Sequence, residues 1–106
     1  MNFVKVATRG DIAPGQPFVH DFDYETVVLF QVGDEYFCIE DLCSHQEIPL
    51  SDGRVDACKV ECPKHGSWFD LKTGEALNLP AVKPVKTYAV KVEGDDILVE
   101  EPEDSW

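Results

Sequence analysis

Apolar and polar residues alternate along both ends of this chain with the two-residue period of β-strands, and the alternation lapses in the middle. Phe3 to Ala7 reads as a first strand. Asp11-Ile12-Ala13-Pro14-Gly15 is a turn punctuated by Pro-Gly. Phe18 to Phe22 and Thr26 to Val32 follow as strands, and the second is apolar on both faces, which predicts a central position. Gly33-Asp34 turns the chain into Glu35 to Glu40 and closes a hairpin. The device returns near the end, with Lys86 to Glu93, the turn Gly94-Asp95 and Ile97 to Glu100. The acidic stretch Glu101 to Trp106 is expected to fray. Helical periodicity is weak throughout, and there is no internal repeat.

Between Asp41 and Leu79 the apolar residues scatter while Gly, Pro and charged residues accumulate, as expected of loops rather than strands. Lys72-Thr73-Gly74-Glu75 is a turn following Ser67 to Asp70. The pattern predicts an all-β fold: a small antiparallel β sandwich or barrel, one domain over 1–106, with an inserted subdomain at about 41–79.

That insertion holds the distinctive chemistry. It opens with Cys43-Ser44-His45 and later presents Cys62-Pro63-Lys64-His65, with the sixteen residues Gln46 to Glu61 between them. Each half offers one thiolate and one imidazole. The split suits a binuclear iron centre, both thiolates on one iron and both imidazoles on the other. A structural zinc site is the competing reading. Zinc modules usually pair like with like, however, and one residue between Cys43 and His45 is tight for two ligands of one tetrahedral metal. A third reading is unrelated core cysteines and surface histidines.

The chain resembles the Rieske [2Fe–2S] proteins, whose motif runs C-x-H, then about 15 to 17 residues, then C-x-x-H. Cys43, His45, Cys62 and His65 match it position by position, and Gly66-Ser67-Trp68-Phe69-Asp70 and Thr73-Gly74 extend the likeness. It covers nearly the whole chain and is strongest toward the small ferredoxins of bacterial multicomponent oxygenases. The resemblance implies one [2Fe–2S] cluster ligated by those four residues, in a subdomain of two ligand loops. Leu79-Pro80-Ala81-Val82-Lys83-Pro84 is similar to the family's proline-containing loop, which covers the cluster from a third side; by composition alone it reads equally as a plain linker. Ile48 and Lys64 stand where the high-potential members carry a disulfide, and Phe69 stands where they carry a tyrosine that hydrogen-bonds a ligand sulfur. Ser67 departs the other way, as a donor able to raise the potential.

Charge explains why histidine ligands matter. Two ferric ions, two sulfides and two thiolates with neutral imidazoles sum to zero, and one electron brings the centre to −1. A four-thiolate cluster must go from −2 to −3, which is harder in a low dielectric. Histidine-ligated centres accordingly fall at roughly −150 to +300 mV, against about −400 mV for plant-type ferredoxins. The missing disulfide, the missing tyrosine and the acidic chain predict the lower part of that window.

At 106 residues the chain has room for one modest core. Its formal net charge of −12 argues against nucleic acid or an anionic membrane surface as partner, and for a basic docking face on another protein, with solubility as the plainer explanation. No signal peptide or membrane span is visible, so the expectation is a cytoplasmic monomer with reduced thiols. Cys38 lies among apolar neighbours and reads as core; Cys58 receives no role.

With two of three histidines taken, only His20 remains, and it reads as an exposed strand residue. A two-His, one-carboxylate iron site therefore cannot be assembled, and no Gly-rich dinucleotide fingerprint is present. The resemblance then implies a one-electron carrier without its own substrate site. It would run from an NAD(P)H-dependent ferredoxin reductase to the terminal oxygenase of a multicomponent aromatic-ring-hydroxylating dioxygenase system. Gln46, Glu47, Pro49, Lys64 and Trp68 flank the ligand tips and are the candidate docking residues, Trp68 reading equally as a lid on the cluster loops. The run Gln46-Glu47-Ile48 is similar to ferredoxins of toluene-type di-iron monooxygenases, and the small subunit of an assimilatory nitrite reductase is a further alternative. A redox sensor would need an output module, and none is visible.

Overall fold

The computed structural model describes residues 2–22, 25–43, 48–64, 66–79 and 81–101. In chain order the strands are β1 (Phe3–Thr8), β2 (Phe18–Asp21), β3 (Thr26–Val32), β4 (Glu35–Glu40), β5 (Arg54–Asp56), β6 (Lys59–Glu61), β7 (Trp68–Asp70), β8 (Thr87–Tyr88), β9 (Val90–Glu93) and β10 (Asp96–Glu100). Two single-turn 3₁₀ helices, Arg9–Asp11 and Leu50–Asp52, complete the described elements. The strands form three antiparallel sheets with the orders β1-β10-β9, β2-β3-β4-β8 and β5-β6-β7. No helix among the described residues is long and apolar enough to cross a membrane.

The doubly apolar strand explains the layering. Val27 and Leu29 of β3 join Cys38 of β4 in one core with Ala7, Ile12, Ile97 and Val99, which belong to or border the first sheet. The intervening Val28 and Phe30 join Ile39 in a second core with Cys43, Leu50, Val60, Cys62, Phe69 and Leu71, all from the insertion. Side chains alternate across a strand, so a strand apolar on both faces must be covered on both. Val27 to Phe30 are fully buried. Each such side chain contributes about 1.5–3 kcal/mol on burial, and β3 thus fastens the insertion to the body.

Three expectations change. The insertion is not all loop: Arg54, Asp56, Lys59 and Glu61 alternate with Val55 and Val60 in the hairpin β5–β6, to which β7 adds. Lys86 to Glu93 is not one strand but two. β8 pairs with β4, and after Ala89 the chain crosses to β10 as β9. The Ala89 carbonyl accepts from the Glu100 amide (2.9 Å) at the crossing. His20 is half-buried rather than exposed, because its ring packs edge-on against Phe22 at 4.7 Å.

The insertion is tied down where it begins and ends. Asp41, 9% exposed, accepts from the Ser51 amide (2.6 Å) and hydroxyl (2.8 Å), stitching the exit of β4 to the Leu50–Asp52 turn. At the other end the Gly74 carbonyl accepts from the Val85 amide (2.9 Å). Gly74 has φ of +78°, and a Cβ there would lie 2.1 Å from the Val85 carbonyl oxygen, so only glycine permits the approach.

Candidate metal centre

Cys43 lies near the start of the insertion and Cys62 in its middle, and they meet in the same core. Cys43 follows β4, and its amide donates to the Ile48 carbonyl (2.8 Å), closing the first loop. Cys62 follows β6. Its amide donates to the Ser67 carbonyl (2.7 Å), and the Gly66 amide donates back to the Cys62 carbonyl (3.0 Å). That tight turn needs Gly66 at φ of +74°, a left-handed conformation a side chain would strain. The two cysteines are 2% and 0% exposed, packed with Leu50, Val60 and Phe69. His45, Gln46, Glu47 and His65 lie outside the described residues.

The chain after β7 comes back onto the turn that follows Cys62. The Leu77 amide donates to the Trp68 carbonyl (2.8 Å). The Asn78 side chain accepts from the Trp68 amide (2.6 Å) and donates to the Gly66 carbonyl (3.2 Å). The Ala81 amide donates to Ser67 Oγ (3.1 Å), and Ser67 is fully buried. Leu77, Asn78 and Ala81 are therefore docked on this turn and not part of a plain linker. The apolar side chains of Leu79 and Val82 beside them stand outward, each 74% exposed. Asn78 and Asp41 are the positioning residues that sequence alone did not single out.

The third sheet turns Val55, Val60 and Phe69 inward. Its other face carries two cross-strand rows, Arg54-Glu61-Trp68 and Asp56-Lys59-Asp70. Arg54 forms an ion pair with Glu61 (3.4 Å). The half-buried Trp68 ring has the Arg54 guanidinium 5.4 Å and the Lys59 ammonium 5.0 Å from its centroid. Trp68 is thus held in a charged outer face, on the side of the sheet opposite Val60 and Phe69. Pro49 and Lys64 are exposed.

Cys38 and Cys58 are the other two cysteines. Burial pushes both thiols up, in Cys38 to well above the ordinary range with the Glu25 charge adding to it. A thiol held in its neutral form is a poor ligand and a poor nucleophile. Both pack as small apolar residues, Cys38 in the core shared with the first sheet and Cys58 against the other.

The donor set present among the described residues fits an iron–sulfur centre. An isolated buried thiolate is costly unless a metal neutralises it, and here two are brought into one apolar core by loops closed through their own amides. Comparison with known proteins agrees. The ferredoxin component of biphenyl 2,3-dioxygenase from Rhodococcus jostii (strain RHA1) is 40% identical over 100 residues, 94% of either chain. The solved ferredoxin of carbazole 1,9a-dioxygenase from Nocardioides aromaticivorans IC177 is 40% identical over 93% of this chain and 97% of its own, with a TM-score of 0.88. A structure described as a complex of reduced oxygenase and oxidized ferredoxin in carbazole 1,9a-dioxygenase contains a chain 30% identical over 92% of this one, with a TM-score of 0.86. Residues 2–89 match the Rieske [2Fe-2S] domain, so the chain belongs to that family and carries one [2Fe–2S] cluster.

Proposed function

We propose that Cys43 and Cys62 ligate one iron of the cluster and His45 and His65 the other, in a single domain whose residues 41–79 form the cluster-binding subdomain. The bound cluster supplies reversible one-electron chemistry; the chain supplies the burial, the ligand loops and a docking face. On this reading the protein is a cytoplasmic, monomeric electron carrier. It takes electrons from an NAD(P)H-dependent ferredoxin reductase and passes them to the terminal oxygenase of a ring-hydroxylating dioxygenase system. The observation that carries the reading is the pair of buried thiols brought together by two loops in a chain 40% identical to dioxygenase ferredoxins. That identity also favours a dioxygenase acceptor over a di-iron monooxygenase or a nitrite reductase.

Docking is proposed through Gln46, Glu47, Pro49, Lys64 and Trp68, against basic faces of the partners. The net charge of −12 supports electrostatic steering toward such faces. Two measurements test the reading. Iron and acid-labile sulfide analysis should give two of each per chain, with a rhombic paramagnetic signal on reduction; one zinc without sulfide would overturn it. Reconstitution with a reductase and a dioxygenase should give an encounter-limited electron-transfer rate that falls as salt shortens the Debye length from about 10 Å at 0.1 M to about 3 Å at 1 M. A rate indifferent to salt would reduce the acidity to a matter of solubility.

A further inference from the structure

One exposed side chain grips the turn between Cys62 and Trp68 from outside. Asn78 Nδ2 donates to the Gly66 carbonyl (3.2 Å), and Asn78 Oδ1 accepts from the Trp68 amide (2.6 Å). A single amide group thus holds the backbone on both sides of Ser67. Two further bonds fasten the same stretch: the Leu77 amide donates to the Trp68 carbonyl (2.8 Å), and the Ala81 amide to Ser67 Oγ (3.1 Å). Within the turn, the Cys62 amide donates to the Ser67 carbonyl (2.7 Å) and the Gly66 amide to the Cys62 carbonyl (3.0 Å). Ser67 therefore lies across the turn from Cys62, and both are fully buried.

These bonds fix the direction of one peptide. The Gly66 carbonyl and the Ser67 amide belong to the same planar unit and point to opposite sides of it. Asn78 is exposed, so the carbonyl it holds faces outward. The Ser67 N–H is thereby turned inward, to the buried side where Cys62 lies. Among the described residues that N–H has no acceptor, and neither has the Ser67 hydroxyl hydrogen. Buried donors without acceptors are rare and costly. The sulfur atoms of a centre bound through Cys62 supply acceptors on that side. A donor aimed at such sulfur favours the more negative, reduced form and so raises the potential.

We propose that Asn78 is a positioning residue that sets the potential: by holding the Gly66 carbonyl outward, it keeps the Ser67 N–H directed at the cluster, where that donor favours reduction. Asn78 acts only through the Gly66–Ser67 peptide. Its side-chain type follows from the contacts, since the Trp68 N–H needs an acceptor and the Gly66 carbonyl a donor, and an amide carries both. The peptide donor is distinct from the Ser67 hydroxyl, because it belongs to the backbone and depends on the orientation of one plane. The inference deepens the electron-carrier reading and rests on Cys62 as a ligand.

The test is the midpoint potential of the cluster-loaded protein for the native chain, Asn78→Ala and Asn78→Asp. Alanine removes both bonds. Aspartate keeps an acceptor for the Trp68 amide but offers no donor to the Gly66 carbonyl. Losing one net hydrogen bond that favours the reduced form should shift the equilibrium about three- to tenfold toward the oxidised form, or about 30–60 mV, in both variants. The charge of aspartate adds a part that salt screens, so at about 1 M salt the two variants should agree. A purely structural clamp would weaken cluster retention and leave the retained fraction at the native potential, and that result overturns the proposal. A fall confined to Asn78→Asp and abolished by salt overturns it too, as does loss of the cluster from both variants. Pulsed paramagnetic resonance of the reduced protein, with serine labelled as ¹⁵N, gives a second readout. A serine coupling should weaken from native to Asn78→Ala, Ser44 being common to both; an identical coupling in the two defeats the proposal. Iron and sulfide analysis separates the readings: no cluster in the native protein defeats the carrier, whereas an intact cluster with unmoved potentials defeats only the role of Asn78.

Discussion

The two faces of β3 are covered by regions built on different terms. On one side the first sheet packs through Ala7, Ile97 and Val99, using paired strands of four to six residues. On the other the insertion packs through Leu50, Val60, Phe69 and Leu71, on strands of three residues and closed turns. Charge divides the same way. Residues 41–79 hold seven Asp and Glu against four Lys and Arg, while the other 67 positions hold fourteen against five. The body carries most of the acidity, and the insertion is nearer neutral with cations around Trp68. A long-range field can therefore steer the molecule without placing repulsive charge beside the outgoing electron. With the ligands proposed in the insertion, its short strands should depend on the metal in a way the body does not.

The largest effect should come from removing that metal. Chelation of the cluster, or Cys62→Ala, should abolish iron and sulfide binding and strip amide-exchange protection from Val60 and Phe69. Protection at Leu29, Cys38 and Ile97 should survive, because the core on that side contains no ligand. Hydrogen exchange followed by mass spectrometry distinguishes this from global unfolding, in which both sets would exchange together and the comparison would fail.

Core truncation sharpens the contrast at matched cost. Phe69→Ala and Ile97→Ala each empty a fully buried site, at about 3–5 and 2–5 kcal/mol respectively. Denaturant unfolding should register both. Phe69→Ala, one residue from Trp68 and two from Ser67, should also weaken cluster retention and alter its visible spectrum. Ile97→Ala should leave the spectrum of the folded fraction unchanged. Equal spectral damage from both would mean that the two cores act as one.

What could be read from sequence follows the same division. The body was legible because its strands are long enough to show a period: β3 betrayed its central place by being apolar on both faces, and Gly33-Asp34 and Gly94-Asp95 marked both hairpins. The paired Cys and His spacing pointed to the centre from ligand chemistry alone. The strands of the insertion were hidden because three residues make barely one alternation. The break at Ala89 was hidden because Tyr88, Val90 and Val92 recur at every second position straight through it, and the change of sheet lies in which neighbour is paired, not in the pattern. Asp41 and Asn78 act across ten or more residues, so no local signal announces them.

The next effect separates regions by pH. In the body, Asp11 accepts from the Thr8 amide and then the Thr8 hydroxyl, with Lys5 adding a smaller pull, and these hold its carboxyl below the ordinary 3.8. A folded-state value below the unfolded one gives stability that is present above the unfolded value and is lost as pH falls through the folded one. At the junction, Glu40 is raised, chiefly by burial. Its contribution has the opposite sign: present in full below 4.5, and lost as pH rises through the folded value. Asp11→Asn should flatten only the acid arm of the stability profile, and Glu40→Gln only the arm above the ordinary carboxyl value of 4.5. Thermal unfolding against pH reads both arms, and a variant that moved the wrong arm would reverse the assignment.

The smallest effect lies in the hairpin turn between β5 and β6, where the insertion carries a local cost found nowhere else among the described non-glycine residues. Ala57 occupies the first position of the two-residue turn with φ of +55°. An L-residue there pays roughly 1–2 kcal/mol from the approach of Cβ to the following carbonyl oxygen. Glycine removes that contact but gives back part of the gain through the greater freedom of the unfolded chain. Ala57→Gly should therefore stabilise by about 0.5–1 kcal/mol, raising the midpoint of thermal unfolding by about 3–6 °C. The side chain at 57 is exposed, so no core contact is lost with it. The gain should appear mainly as slower amide exchange in β5 and β6, with β1 and β10 little changed. A loss of stability would mean that the turn is set by more than its backbone angle, and that the insertion's short hairpin is less independent of its neighbours than the pairing Val55 with Val60 implies.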